Sequence, residues 1–300
     1  MDYGRPVEFG ISVVPSAGEV EAIRATIAAA DRSGLDLVGI QDHPYQWRFL
    51  DTWMLMASLL AQTDRIRFFA DVTNLPMRPP AVLAKQAATL DVLSGGRFEL
   101  GLGAGGFWDA VAAMGGPRRT PTQAVDALEE AIAIIRRSWS GERSVHFEGT
   151  YYSARGYHPG PPPAHPISIW IGAYRPRMLR LTGRLGDGWI PSLGYVDVAD
   201  IGRGNAAIDE AAIVAGREPS AIRRMVNVSG NIGPENRGAV ISGSVDEWVA
   251  LLAGWVTEVG LDTVILWPAD PDPGQIETLG HEVAPRVREE VARRRAAAAR

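Results

Sequence analysis

Gln41-Asp42-His43 closes a short apolar run and sets a carboxylate beside an imidazole. Histidine titrates near neutrality and can give or take a proton at either ring nitrogen, so at a strand end it suits proton transfer or contact with a cofactor. That position favours a functional His43 over a purely structural one. Trp47, four residues on, either walls the same pocket or packs the loop. A second run ends in Asp71-Val72-Thr73-Asn74, where Asp71 is equally suited to catalysis and to accepting backbone N–H groups in its own loop.

Glycines and aromatics gather at comparable places. Gly101, Gly103 and Gly106 formally match G-x-G-x-x-G, yet Pro117 and Pro121 delay the next helix, whereas a dinucleotide-binding turn enters its helix at once. We read Gly103-Ala104-Gly105 instead as backbone that lets a flat cofactor approach closely, with Phe107, Trp108 and Trp189 as apolar pocket walls. Gly172-Ala173-Tyr174-Arg175 precedes a helix, and free N–H groups at a helix N-terminus favour a phosphate, with Arg175 or Arg177 adding charge. Arg180 and Arg184 at helical spacing fit a solvated helix face equally well. No metal site is expected: Cys is absent, and the five histidines form no ligand pair at helical or hairpin spacing. His158 and His165 flank a proline-rich connector and read as surface-loop residues.

These residues share one feature, a place just after a strand. Strands are expected at 7–14, 37–41, 65–72, 98–102, 167–171, 188–191, 223–230 and 263–267. Helices are expected at 19–33, 50–62, 81–93, 122–139, 177–185, 198–215, 245–259 and 275–294. Eight strand–helix units in 300 residues fit a single α/β domain over 1–300, a (β/α)8 TIM barrel whose site lies at the C-terminal ends of the strands. One insertion interrupts the rhythm between helix four and strand five. There 144–153 alternates like a β-hairpin and Gly160-Pro161-Pro162-Pro163 is a rigid connector, a place for a site cover or a dimer contact.

Composition narrows the partners. A net charge of −5 argues against nucleic acid, which selects a basic footprint. No apolar run is long enough for a membrane span and no leader-like N-terminus is visible, so a cytoplasmic enzyme of a small organic molecule is expected. Lys85 is the one lysine, so any Schiff-base chemistry would have to use it.

At these same residues the chain resembles the luciferase-like family of flavin- and deazaflavin-dependent oxidoreductases over nearly its whole length. The resemblance rests on QDH after strand two, RIRFFADVTNLPMRPPAVLAKQAATLDVLSGGRFELGLGAG across strands three and four, IWIGAYRPRMLRLTGRLGDGWIPSL, and DTVILWP. It implies a barrel that binds FMN or the deazaflavin F420 and transfers hydride at the ring, and often a homodimer. Asp42, His43 and Trp47 match the deazaflavin branch, where such a set contacts the ring or assists proton transfer, so F420 is slightly favoured. The resemblance also implies a non-prolyl cis peptide at Asp71-Val72, with Thr73, Asn74 and Gly103–Gly105 near the cofactor, and the phosphate turn at Gly172-Ala173-Tyr174. One departure stands out. Sugar-phosphate dehydrogenases of the family carry a catalytic Glu where this chain has Gly106, which points towards an apolar or planar substrate; Asp109 is the nearest replacement. An FMN-dependent monooxygenase that uses O2 is the close alternative. A two-carboxylate hydrolase built on Asp42 and Asp71, and a flavin-binding protein without turnover, are the remote ones.

Overall fold

The computed structural model describes residues 1–235, 238, 240–268 and 272–300. The strands are short apolar runs buried on both faces, as a parallel sheet covered by helices requires. They are β1 (Glu8–Val13), β2 (Leu37–Ile40), β3 (Arg67–Ala70), β4 (Phe98–Gly103), β5 (Ile169–Ile171), β6 (Gly188–Trp189), β7 (Arg223–Ile232) and β8 (Thr263–Pro268). Each pairs in parallel with the next, and β8 pairs with β1 through Glu8↔Thr263 to Ile11↔Leu266, closing an eight-stranded barrel.

Helices cover the outside, and their ends follow local chemistry. Thr120 and Gln123 form a capping box before Pro121–Trp139, and Ser244 and Glu247 form another before Val245–Gly254. Gly95, left-handed at φ 68°, ends Pro80–Ser94. The barrel interior is plugged by Leu37, Phe69, Trp170, Ile190, Met225 and Ile265, with Val72 packed on top. Phe69 and Trp170 meet edge-on at 5.1 Å. This plug separates the C-terminal ends of the strands from their N-terminal ends.

Below it, at the N-terminal ends of the strands, charges neutralise one another. Arg67 bonds Glu8 at 2.6 Å and Glu99 at 3.2 Å, while Arg223 bonds Glu8 at 3.1 Å and Asp262 at 3.2 Å. His165 joins this layer, with Nδ1 2.7 Å from Asp91 and Nε2 3.5 Å from Glu99. It therefore clamps the proline connector to the barrel rather than lying in a surface loop.

Several boundaries differ from the sequence reading. Strand three stops at Ala70, the Asp71-Val72 peptide is cis, and pairing resumes at Thr73–Asn74 beside Leu102 and Gly103. A short helix, Trp108–Ala113, occupies a stretch that read only as Gly- and Pro-rich. The hairpin pairs Val145–Glu148 with Ser153–Tyr157, and Glu130 accepts the N–H groups of Thr150, Tyr151 and Tyr152 at 2.7–2.9 Å. It is thereby fastened to the flank of helix Pro121–Trp139, so it does not cover the strand ends. Among the described residues no helix is long and apolar enough to cross a membrane.

Hydrogen bonding to Glu99, with the charges of Glu99 and Asp91, raises the His165 pKa above its usual 6.5 against the opposing effect of burial. A raised histidine stabilises the fold fully below its unfolded pKa, and that contribution disappears as pH climbs through the folded value. Thermal melts of wild type and His165→Gln should thus differ most below pH 6.5 and draw together as pH rises above it; a gap that widens with pH would contradict the clamp.

Candidate functional site

The C-terminal ends of the strands open onto a cavity of about 450 Å³, lined from every side by strand-end loops. Asp42 is buried at its rim. It accepts Arg78 Nε at 2.9 Å and Nη2 at 2.8 Å, and the Asn74 N–H at 3.0 Å. Arg78 Nη2 also reaches Asp51 at 2.9 Å, and Asp51 itself caps helix Thr52–Leu60. One guanidinium thus ties the loop after β2 to the segment after β3, a bidentate arrangement that only arginine's planar fork provides.

His43 turns the other way. Its Nδ1 lies 2.8 Å from the Tyr45 hydroxyl, and the rings of Tyr45, Phe49 and Phe107 surround it at 5.6, 6.5 and 5.8 Å. Burial lowers its pKa below 6.5, partly offset by the Asp42 charge, so the imidazole is neutral at pH 7. Asp71 faces the cavity beneath, accepting Ser12 Oγ at 3.2 Å and Asn227 Nδ2 at 3.1 Å. Burial pushes Asp71 up to about 6, against those two hydrogen bonds.

Val72 forms the floor between two glycines. A Cβ at Gly103 would sit 2.8 Å from Val72 Cγ2, and one at Gly172 would sit 3.1 Å from it. Val72 thus accounts for Gly103 and leaves little room for a side chain at Gly172, while both glycines also line the cavity. Gly106 differs: a Cβ there meets nothing within 4 Å. No fold requirement keeps it small, and it opens room beside Phe107.

Polar atoms without partners mark where a ligand fits. Thr73 Oγ1, Asn74 Oδ1 and Asn227 Oδ1 are buried and receive no hydrogen bond, and all three residues line the cavity. Buried polar groups in native proteins are almost always satisfied, so three orphans around one cavity suit a ring bearing donors and acceptors. On the far side, helix Pro176–Leu185 starts at Arg175 with no side-chain cap, and Gly172, Tyr174, Arg175 and Met178 line that end. This is a fit for an anion.

Some expected residues fall elsewhere. Trp47 is 83% exposed with Arg48 stacked on its ring, and it does not line the cavity. Trp189 is 2% exposed, donates to the Ala173 carbonyl at 2.9 Å and packs against Gly204 on the helix side of its strand. Ala173 is buried beside it rather than facing the cavity. Trp108 packs over Gly105, and only Phe107 of the three aromatics is a wall. Asp109 points outward onto Arg118, and Arg177 is engaged by Asp126, leaving Arg175 as the cation at the anion seat. Asp42, locked by Arg78, leaves the two-carboxylate hydrolase without a free pair. The sequence reading missed Tyr45, Arg78, Ser192, Tyr195 and Asn227. Asn227 alone carried a signal, a polar residue inside the apolar run of β7.

The model of the luciferase-like monooxygenases matches residues 2–239, and the chain belongs to that family. It is 32% identical over 245 residues to the F420-dependent hydroxymycolic acid dehydrogenase of Mycobacterium tuberculosis, covering 78% of this chain and 66% of that protein. It is 33% identical over 221 residues to the F420-dependent glucose-6-phosphate dehydrogenase of Intrasporangium calvum, covering 70% and 65%. The matched stretch thus spans just under two thirds of the length of these two relatives. Among solved structures, an F420-dependent secondary alcohol dehydrogenase in complex with an F420-acetone adduct superposes with a TM-score of 0.85 at 19% identity, over 94% of this chain and 99% of that one.

The Val72 floor yields a test. Gly103→Ala should destabilise the protein by about 1–3 kcal/mol through overpacking, and adding Val72→Ala should restore most of that loss in thermal melts. A Gly103→Ala protein as stable as wild type would remove the steric role of Val72.

Proposed function

We propose that this chain is an F420-dependent oxidoreductase that exchanges hydride with a small uncharged alcohol or the matching carbonyl compound. The observation that carries this reading is one cavity lined both by His43 and by Thr73, Asn74 and Asn227, whose buried side-chain oxygens have no partner among the described residues. Its support from relatives is their F420 dependence, and from geometry the uncapped helix start at Arg175 for a phosphate.

In this reading Thr73, Asn74 and Asn227 hold the ring's polar edge, Val72 supports its face, and Arg175 with the helix start holds its phosphate. The deazaflavin, when bound, supplies hydride exchange. His43 takes the hydroxyl proton of an alcohol, or returns one to a carbonyl oxygen, and the neutral imidazole is ready for the first task at pH 7. Around His43 the neighbours are the Tyr45, Phe49 and Phe107 rings, while Asp42 and Arg78 neutralise each other. A phosphorylated substrate would find no free cation there among the described residues, whereas an apolar or planar group fits beside Gly106.

Mixing the protein with F420 and a panel of secondary alcohols should bleach the deazaflavin. His43→Ala should slow that reaction by about 10²–10⁴-fold, the usual worth of a general base, while F420 affinity stays close to wild type. Alcohol oxidation should fall on the acid side as His43 protonates, with its midpoint below pH 6.5. Full activity in His43→Ala, or a panel in which no alcohol bleaches oxidised F420 and no carbonyl compound restores the colour of reduced F420, would overturn the proposal.

A further inference from the structure

Asp42 precedes His43, but it is not the group that orients the imidazole. Its Oδ2 accepts both Asn74 N–H and Arg78 Nε, and its Oδ1 accepts Arg78 Nη2. The contact made by His43 is with Tyr45, whose hydroxyl lies 2.8 Å from Nδ1. Pro44 stiffens the backbone between the two residues, and their rings sit 5.6 Å apart at 47°. Both residues line the cavity, and Nε2 has no protein partner among the described residues.

We infer that Tyr45 is a positioning residue for His43: its hydroxyl engages Nδ1 and so presents Nε2 to the cavity in a defined hydrogen-bonding state. This rests on the proposed oxidoreductase reading for its purpose, though not for its geometry. A neutral imidazole carries one N–H. When the phenol donates to Nδ1, the hydrogen resides on Nε2, and that neutral N–H is no acid at working pH because its loss would leave an imidazolate. When Nδ1–H donates to the phenol oxygen, Nε2 offers a lone pair that can take the proton of an alcohol. The Nδ1–H arrangement serves both directions: Nε2 takes the proton of an alcohol, and the resulting imidazolium returns it from Nε2 to a carbonyl oxygen. Once Nε2 has taken a proton, Nδ1–H of the imidazolium still has the Tyr45 oxygen as its acceptor.

The surroundings agree with this role. Burial, with the nearby Asp42 charge, pushes Tyr45 up to about 12, against a hydrogen bond from Asn74, so its hydroxyl keeps a hydrogen to donate throughout the working range. The charged and titratable groups near the pair are Asp42 and, through it, Arg78; Phe49 and Phe107 supply apolar surface.

Tyr45→Phe removes the hydroxyl and keeps the ring. In the free protein, 15N spectra of the His43 imidazole should show separated Nδ1 and Nε2 signals for wild type, and signals drawn towards each other by tautomer exchange in the variant. Identical ring-nitrogen shifts in the two proteins would overturn the inference whether or not F420 binds. In the loaded enzyme, Tyr45→Phe should lower kcat by about tenfold, the worth of one hydrogen bond, with F420 affinity unchanged. In a His43→Ala background it should cost nothing further, whereas fully additive losses would assign Tyr45 a role independent of His43 and sink the proposal. A wild-type protein that fails to reduce F420 yet shows the expected spectra would overturn the functional reading alone.

Discussion

The guanidinium of Arg78 is the constraint on which the site depends. It stands between two loops that the chain delivers from neighbouring strands, and it binds Asp42 from one while the Asn74 N–H of the other binds the same carboxylate. Through Asp51 it also fixes the start of helix Thr52–Leu60. His43 follows Asp42, and Val72 lies two residues before Asn74, so one cluster sets the distance between the His43 imidazole and the cavity floor. A pair this enclosed is held by complementary geometry. Losing one partner would strand the other charge, at a typical cost of about 3–5 kcal/mol.

The floor depends in turn on the barrel plug. Six large side chains fill the interior below Val72, and the two glycines beside it give it room to stand between β4 and β5. The cavity is therefore shaped by what the interior excludes. The N-terminal charge layer at the other end does no chemistry; it lets Arg67, Arg223 and three carboxylates be buried among one another while the strands converge. The ion-pair layer lies at one end of the barrel and the cavity at the other.

Much of this was legible in the sequence because strand ends are where barrel chemistry lies. That rule singled out His43, Asp71 and the Thr73-Asn74 pair, all of which line the cavity, while the cis peptide at Asp71-Val72 came only from family resemblance. The errors have local causes. Spacing suggested Trp47, but a turn closed by Gln46 N–H on the His43 carbonyl at 2.9 Å throws Trp47 into solvent. Trp189 and Ile190 are adjacent, and alternation along the strand sends the first to the helix layer and the second into the barrel. Arg78 was hidden in a proline-rich stretch, since its partners lie 36 and 27 residues away. Tyr45 was passed over because loop residues carry no periodicity that fixes their direction.

The ligand proposed for this cavity is a deazaflavin. Parallel equilibrium titrations of the purified protein with F420 and with FMN, followed by cofactor fluorescence, test that claim most directly. Tight binding of F420 with much weaker binding of FMN is the predicted result. Preference for FMN would contradict the claim and turn attention to oxygen-dependent chemistry, and binding of neither would contradict the assignment of the cavity as a cofactor site.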